Sequence, residues 1–322
     1  MFGKIIGTGS YAPEQVVSNH DLSAMVETND AWIQERTGVK NRHIVREETT
    51  VSMAVLAAQR ALEDAALEAQ AIDLIIVSTV SSNVLLPCTA CEVQKAIGAV
   101  HATCFDLNAA CTGFLFAYNT AQAYLAMGLY TNVLVIGAET LSDLIDWTDR
   151  GTCILFGDGA GAVVMQAAQE SEFCAVSHSD GTLGNALTCD SRHVRDWLSF
   201  DEEQKRATYM QMDGREVFKF ASRKVPESIE ELLEKNLYEK AQIRYYILHQ
   251  ANKRIVESVA KRLGEPIEKF PMNLMEYGNT SSASIPILLD EMNQDGLLQP
   301  GDLIVLAGFG GGLSWGASSL KW

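Results

Sequence analysis

No apolar run in this 322-residue sequence approaches the ~20 residues that a membrane-spanning helix needs. Basic residues are scarce: 25 Lys and Arg stand against 41 Asp and Glu, for a formal charge of −16. That balance excludes a general nucleic-acid surface, because phosphate binding needs a basic footprint. It does not exclude an acidic partner, provided that basic residues cluster locally. The opening MFGKIIGTGSYAPEQVV lacks the long apolar core of a secretory signal. None of the six histidines has metal-ligand spacing with another His or Cys, so no metal is expected. The seven cysteines are an odd number in a chain large enough to fold without staples. They read as reduced thiols of a cytoplasmic protein.

What is present is an ordinary globular composition, 47% hydrophobic and 20% charged. The length exceeds one typical core, so two domains or a two-lobed α/β unit is expected. KIIGTGS, DLIIVSTV, ATCFDLNA and NVLVIGAE read as buried strands, short and bounded by turn residues. Helical stretches lie between them, such as TTVSMAVLAAQRALEDAALE with a threonine available as N-cap. Such alternation predicts α/β layers around a largely parallel sheet. NVLVIGAET (Asn132 to Thr140) resembles DLIVLAGFG (Asp302 to Gly310), and each precedes a Gly-rich stretch and a second strand. That internal repeat predicts two similar halves meeting near residue 170. The polar segment from about Ser177 to Gly214 reads as a covering loop region.

Three residues at element ends carry the candidate chemistry. Cys111, in DLNAACTGF, stands where a strand gives way to an apolar helix, and a helix N-terminus lowers a thiol pKa. It is flanked by small residues that leave room for a substrate; the same position also suits an inert packed cysteine. His249, in YYILHQAN, follows a strand at the edge where α/β sites assemble. The other histidines, His20, His43, His101, His178 and His193, lie in more polar surroundings. Asn279, in EYGNTSSASIP, carries cap chemistry leading into a helix. LAGFGGGLSWG (Leu306 to Gly316) lacks the Lys-Ser/Thr ending of a P-loop and suits a backbone oxyanion donor or a tight hairpin. FGDGAGA leads into a strand rather than a helix, and the lone Cys88-Thr-Ala-Cys91 reads as packing at a helix start.

Together AACTGF, HQAN, GNTSSASIP and FGGGLSWG resemble the β-ketoacyl-acyl carrier protein synthase III family, thiolase-fold enzymes that begin bacterial fatty-acid synthesis. The likeness runs from IIGTGSYAPEQVVSN and AWIQERTGVKNRHI to the final tryptophan. It implies a five-layered αβαβα fold of two halves, taken here as residues 1–170 and 171–322, and a homodimer. It also implies a Cys111–His249–Asn279 triad, with acyl transfer from coenzyme A to the cysteine and decarboxylative condensation with malonyl-acyl carrier protein. Coenzyme A thioester is then a substrate and no cofactor is required. The backbone N–H groups of Cys111 and Gly311 would form the oxyanion hole, and His249 and Asn279 would stabilise the enolate. Trp32 and Arg150 match the pair enclosing the adenine, with Arg36 and Thr37 beside them and Asn252 near the pantetheine arm. Lys219, Lys253, Arg254, Lys261 and Arg262 are the candidates for docking an acidic carrier protein. Leu86, before Pro87, stands where some relatives carry a phenylalanine that closes the partner's acyl pocket.

Three rivals remain open on the residues. An elongating condensing enzyme would use two histidines, and only His249 lies in a matching motif. A papain-like hydrolase would carry C-G-[SA]-C-[WY], which is absent. A non-catalytic binding protein would not need all three motifs.

Overall fold

The computed structural model describes residues 1–169, 171–190 and 209–322; His193 and much of the expected covering segment lie outside them. In chain order the strands are β1 Phe2–Tyr11, β2 Val16–Ser18, β3 Asn41–His43, β4 Leu74–Ser78, β5 Thr103–Leu107, β6 Asn132–Glu139 and β7 Gly159–Ala168. They continue with β8 Ala175–Ser179, β9 Leu187–Thr188, β10 Gln211–Met212, β11 Ile243–Leu248, β12 Leu303–Gly310 and β13 Ser314–Lys321. The first helices are α1 Asn19–Ser23, α2 Asp30–Thr37, α3 Thr50–Asp64, α4 Thr89–Ile97 and α5 Gly113–Ala126. The later ones are α6 Gly214–Asn236, α7 Lys253–Leu263, α8 Leu274–Tyr277 and α9 Ser284–Gln294.

Two sheets dominate. The first has the order β1-β7-β6-β4-β5 and the second β11-β12-β13-β8. The repeat seen in sequence is the key to their likeness. β6 pairs parallel with β4 and antiparallel with β7, which pairs antiparallel with β1. β12 does the same with β11, β13 and β8 in turn. Each sheet is therefore mixed rather than largely parallel, because the second strand of each repeat returns as a hairpin.

Layering follows from which helices are apolar all round. α5 and α9 are buried along most of their length, and both pack between the sheets in one cluster that includes Phe114, Tyr118, Leu289, Val163 and Leu306. A helix apolar on every face must be covered on every side. α3, capped by Thr49 through Ser52 N–H, covers the outer face of the first sheet with its alanine stripe. α6 and α7 cover the second through Phe220, Ile229 and Val259. The result is five layers, αβαβα.

One strand differs from expectation. ATCFDLNA forms β5, but among the described residues β5 is an edge strand bonded only to β4, and it is half-buried rather than buried. Among the described residues, no helix is long and apolar enough to cross a membrane.

Candidate active site

After β5 the chain makes a tight turn over Ala110–Thr112 and then enters α5. Ala110 has φ +47°, a left-handed conformation that costs a residue with a Cβ of order 1 kcal/mol. That strain lifts Cys111 out of the strand–helix path and onto the floor of a cavity. Cys111 is buried, and burial pushes its thiol up to about 12, with a hydrogen bond from the Ser281 side chain opposing and the charge of Glu139 adding to the rise. A thiol depressed by the helix terminus was the expectation. Here desolvation outweighs it, because Cys111 precedes the helix proper and lies deep in the fold.

His249 follows β11, its backbone N–H donating to Ala307 O at 2.9 Å. The ring packs edge-on against Phe309 at 5.3 Å, and Nδ1 lies 2.7 Å from Ser284 Oγ. That oxygen also accepts from Gln250 N–H at 3.3 Å, and its own proton is placed to be donated to Nδ1 in the tautomer that suits the site. In that tautomer Nε2 carries the ring proton. Burial brings the imidazole pKa down to about 3, so the ring is neutral at ordinary pH. A neutral donor suits a developing oxyanion.

Asn279 sits in a loop held by the Leu155–Gly157 segment. Its N–H donates to Leu155 O at 2.8 Å, and its carbonyl accepts from Gly157 N–H at 3.1 Å. Its Oδ1 accepts from Ser281 N–H at 2.9 Å, so the amide NH₂ is the end left to donate. Gly278, at φ +67°, allows the approach: a Cβ there would meet Leu155 O at 2.8 Å. Arg42 braces the same loop from beneath. It is fully buried and donates to Ile154 O at 2.9 Å, Asn19 Oδ1 at 2.8 Å and Val17 O at 3.1 Å.

Cys111, His249 and Asn279 line one cavity of about 850 Å³ with Gly310, Gly311 and Phe309. Trp32, Arg36, Thr37, Asn252 and Arg254 line the same cavity. The Arg150 guanidinium stacks 5.0 Å over the Trp32 ring, and its Nη1 donates to Glu27 O at 2.8 Å. Asn252 caps α7 through Arg254 N–H and donates to Arg36 O at 3.0 Å. Thr37 spends its hydroxyl at the end of α2, donating to Ile33 O at 2.7 Å. Sequence reasoning missed Arg215, Phe218, Leu187, Met210 and Met212, which also line the cavity. Four of these five fall in or beside the segment that read as a patternless loop.

The five basic candidates are exposed on α6 and α7, which pack together. Lys219 lies 4.0 Å from Glu216 and Lys253 3.7 Å from Glu257. Arg254 covers Phe218 at 5.4 Å, and Arg262 donates to Ser222 O at 3.0 Å. Leu86 does not line the cavity of its own chain; it is 82% exposed, beside exposed Leu85 and Val84. Cys88 is the N-cap residue of α4, with its sulfur 3.4 Å from that of Cys91.

Residues 105–181 match the family described as 3-oxoacyl-[acyl-carrier-protein (ACP)] synthase III, and residues 233–322 match the C-terminal part of the same enzymes. A β-ketoacyl-[acyl-carrier-protein] synthase III of Clostridium acetobutylicum is 49% identical, over 99% of this chain and 98% of that protein. The chain belongs to the β-ketoacyl-acyl carrier protein synthase III family. One from Streptococcus sanguinis is 46% identical over 98% of both chains. The crystal structure of the Aquifex aeolicus synthase III superposes with TM-score 0.93 at 43% identity, covering 99% of this chain and all of the other. A priming β-ketosynthase from the R1128 polyketide pathway superposes with TM-score 0.94 at 34% identity, covering 99% and 96%. The chain is thus an acyltransferase of the thiolase fold, an initiating condensing enzyme of fatty-acid biosynthesis.

Proposed function

We propose that the chain transfers a short acyl group, acetyl foremost, from coenzyme A to Cys111, and then condenses it with malonyl-acyl carrier protein. The observation that carries this reading is the single cavity shared by Cys111, His249 and Asn279 and by the Trp32 rim. Coenzyme A enters with its adenine enclosed by Trp32 and Arg150, which stack on each other in the unliganded chain and part to admit the base. Arg36 and Thr37 stand beside that pair, and Asn252 lies near the pantetheine arm. The thioester carbonyl oxygen rests against the N–H groups of Cys111 and Gly311, and the sulfur attacks.

Malonate then loses carbon dioxide, and the enolate oxygen is met by His249 Nε2–H and the Asn279 amide. Two neutral donors serve better than a cation, since they leave the carbanion nucleophilic without protonating it. The buried setting also keeps water from the acyl-enzyme. No cofactor enters this scheme; the coenzyme A thioester is a substrate.

The carrier protein docks on Lys219, Lys253, Arg254, Lys261 and Arg262. Two halves, 1–170 and 171–322, each contribute one sheet. The enzyme works as a homodimer in the cytoplasm, with Leu86 reaching the partner's acyl pocket. The exposed edge of β5 and the apolar Val84–Leu86 segment support that pairing.

Mixing the protein with acetyl-coenzyme A and weighing the Cys111 peptide tests the central claim. A stable 42-Da adduct, roughly the mass of one acetyl group, absent from Cys111→Ser, is expected. Rapid release of free acid would make the chain a hydrolase, and no reaction a binding module.

A further inference from the structure

Glu139, the last residue of β6, is fully buried, and no step described above uses it. Its Oε2 accepts from Ser81 Oγ at 2.6 Å, Val80 N–H at 3.1 Å and Thr79 Oγ1 at 3.3 Å. Its Oε1 accepts from Ser282 Oγ at 2.8 Å and Ser281 Oγ at 3.3 Å. An ionised carboxylate, an acceptor at both oxygens, satisfies all of these donors. On the Oε2 side the donors are themselves fixed: Ser81 Oγ accepts from Thr140 N–H at 2.8 Å, and Thr79 Oγ1 from Ser81 N–H at 3.1 Å. On the Oε1 side the carboxylate reaches a short turn, Ser281–Ala283. That turn lies directly on β6, since a Cβ on Gly137 would stand 2.3 Å from Ser282 O.

The turn stands between the supports of both enolate donors. Before it, Ser281 N–H donates to Asn279 Oδ1 at 2.9 Å, which leaves the amide NH₂ as the free end. After it, Ser284 opens α9, and its Oγ lies 2.7 Å from His249 Nδ1. Ser281 holds φ +48°, a left-handed conformation that persists only where its surroundings over-determine it. Glu139 supplies that constraint by holding the Ser281 and Ser282 side chains at once. Ser282 Oγ has a second acceptor, Ser78 O at 3.0 Å, but the bond to a carboxylate is the stronger of the two.

We propose that Glu139 is a positioning residue for decarboxylation: by clamping Ser281 and Ser282 it sets the turn that aims the Asn279 amide, and through Ser284 the His249 ring, at the enolate oxygen. No proton or electron pair passes through it. Its role rests on the reading above, in which His249 and Asn279 meet the enolate. The nucleophile is held separately, by its own turn after β5 and by the close approach of Gly310. The negative charge of Glu139 raises the Cys111 thiol, so a neutral replacement leaves acylation as fast as before or faster.

The test compares the parent with Glu139→Gln, Glu139→Asp and Ser282→Ala in two half-reactions. These are single-turnover acetylation of Cys111 by acetyl-coenzyme A and release of labelled carbon dioxide from malonyl-acyl carrier protein. In Glu139→Gln decarboxylation should fall by about tenfold or more, with acetylation within about twofold of the parent or faster. Glu139→Asp, which keeps the charge, should recover part of the loss, and Ser282→Ala should lose about threefold of decarboxylation alone. A carboxylate that only stabilised the fold would slow both half-reactions together. Parallel losses, or decarboxylation unchanged in Glu139→Gln, overturn the clamp. Should Glu139→Gln fail to fold, Ser282→Ala decides: selective loss of decarboxylation supports the clamp, and parallel or absent loss overturns it. Crystal structures of the parent and Glu139→Gln add a readout independent of turnover. A displaced Ser281–Ser282 turn with the Asn279 amide rotated supports the clamp, and an unchanged turn overturns it. If the turn shifts in a protein whose parent releases no carbon dioxide, the clamp stands and the reading of His249 and Asn279 fails.

Discussion

Gly310 lies so close to Cys111 that a Cβ on Gly310 would stand 2.7 Å from the Cys111 backbone nitrogen and 2.9 Å from that of Thr112. The end of β12, in the second sheet, thus fixes the height of the nucleophile turn that follows β5 of the first. Backbone cannot yield there as a flexible side chain could. Gly310→Ala is therefore expected to push the turn by several tenths of an ångström. A misplacement of about 1 Å costs about 10²-fold in rate, so a shift of this smaller size is expected to cost roughly tenfold. Steady-state kcat/KM for acetyl-coenzyme A, with a melting curve to confirm folding, is the check; a loss under threefold would mean that the turn is soft.

His249 supplies a pH signature with a definite sign. Its folded pKa, about 3, lies below the ordinary histidine value of ~6.5. The neutral ring therefore contributes stability that is fully present above ~6.5 and lost as pH falls from there toward 3. Replacing it by glutamine removes the term. Between pH 7 and pH 5 the parent should lose about 2 kcal/mol more than His249→Gln in urea unfolding. Equal losses would show that the ring is protonated or solvated in the native state.

The same histidine divides the chemistry. Its hydrogen bonds tie it to Ser284 and Ala307, and neither of them reaches the Cys111 sulfur. His249→Ala is accordingly expected to leave acetylation of Cys111 within about threefold of the parent while lowering malonyl decarboxylation by about 10²-fold or more. Single-turnover acetylation and release of labelled carbon dioxide separate the two; joint loss would return the thiol proton to His249.

What was legible in the sequence has a common physical origin. Cys111, His249 and Asn279 stand at element ends, and turn chemistry marks those ends. The repeat of β6 and β12 was legible because a buried strand followed by a hairpin leaves a recognisable string. Glu139 was not, since a carboxylate ending an apolar strand looks like solvent-facing punctuation until four hydroxyls are seen to converge on it. Arg42 escaped for a similar reason: its partners are carbonyls and an amide brought from residues 17, 19 and 154, which no local pattern announces. The exposure of β5 was misread because one edge of a sheet carries the same apolar alphabet as its centre.

Placement on α7 separates two of the residues proposed for docking. Arg254 lines the cavity and covers Phe218, so its loss should disturb both substrates. Lys261 lies two turns further along the same helix, exposed and away from that rim. Lys261→Glu is expected to raise KM for malonyl-acyl carrier protein about threefold to tenfold and flatten its salt dependence, leaving acetyl-coenzyme A kinetics unchanged. Equal changes for both substrates would remove Lys261 from the interface.

Leu86 decides primer length if it closes the partner's pocket. It is 82% exposed in the single chain, and a leucine so placed gains from being covered by another surface. Leucine is smaller and more flexible than phenylalanine, so the pocket end lies deeper by one or two methylenes. Each methylene buried there favours a longer primer by about 0.8 kcal/mol, close to a fourfold step in kcat/KM. Acetyl-coenzyme A should be used, propionyl- and butyryl-coenzyme A tolerated, and long chains poor. Leu86→Phe should then depress butyryl use by about tenfold while sparing acetyl, and Leu86→Ala should extend the accepted chain. If Leu86 only fills the dimer interface, both substitutions will shift the dissociation constant of the dimer and leave the ratio of kcat/KM across chain lengths unchanged. Measuring that ratio at protein concentrations well above dimer dissociation separates the two roles, because the primer preference then reports the pocket rather than the fraction of dimer.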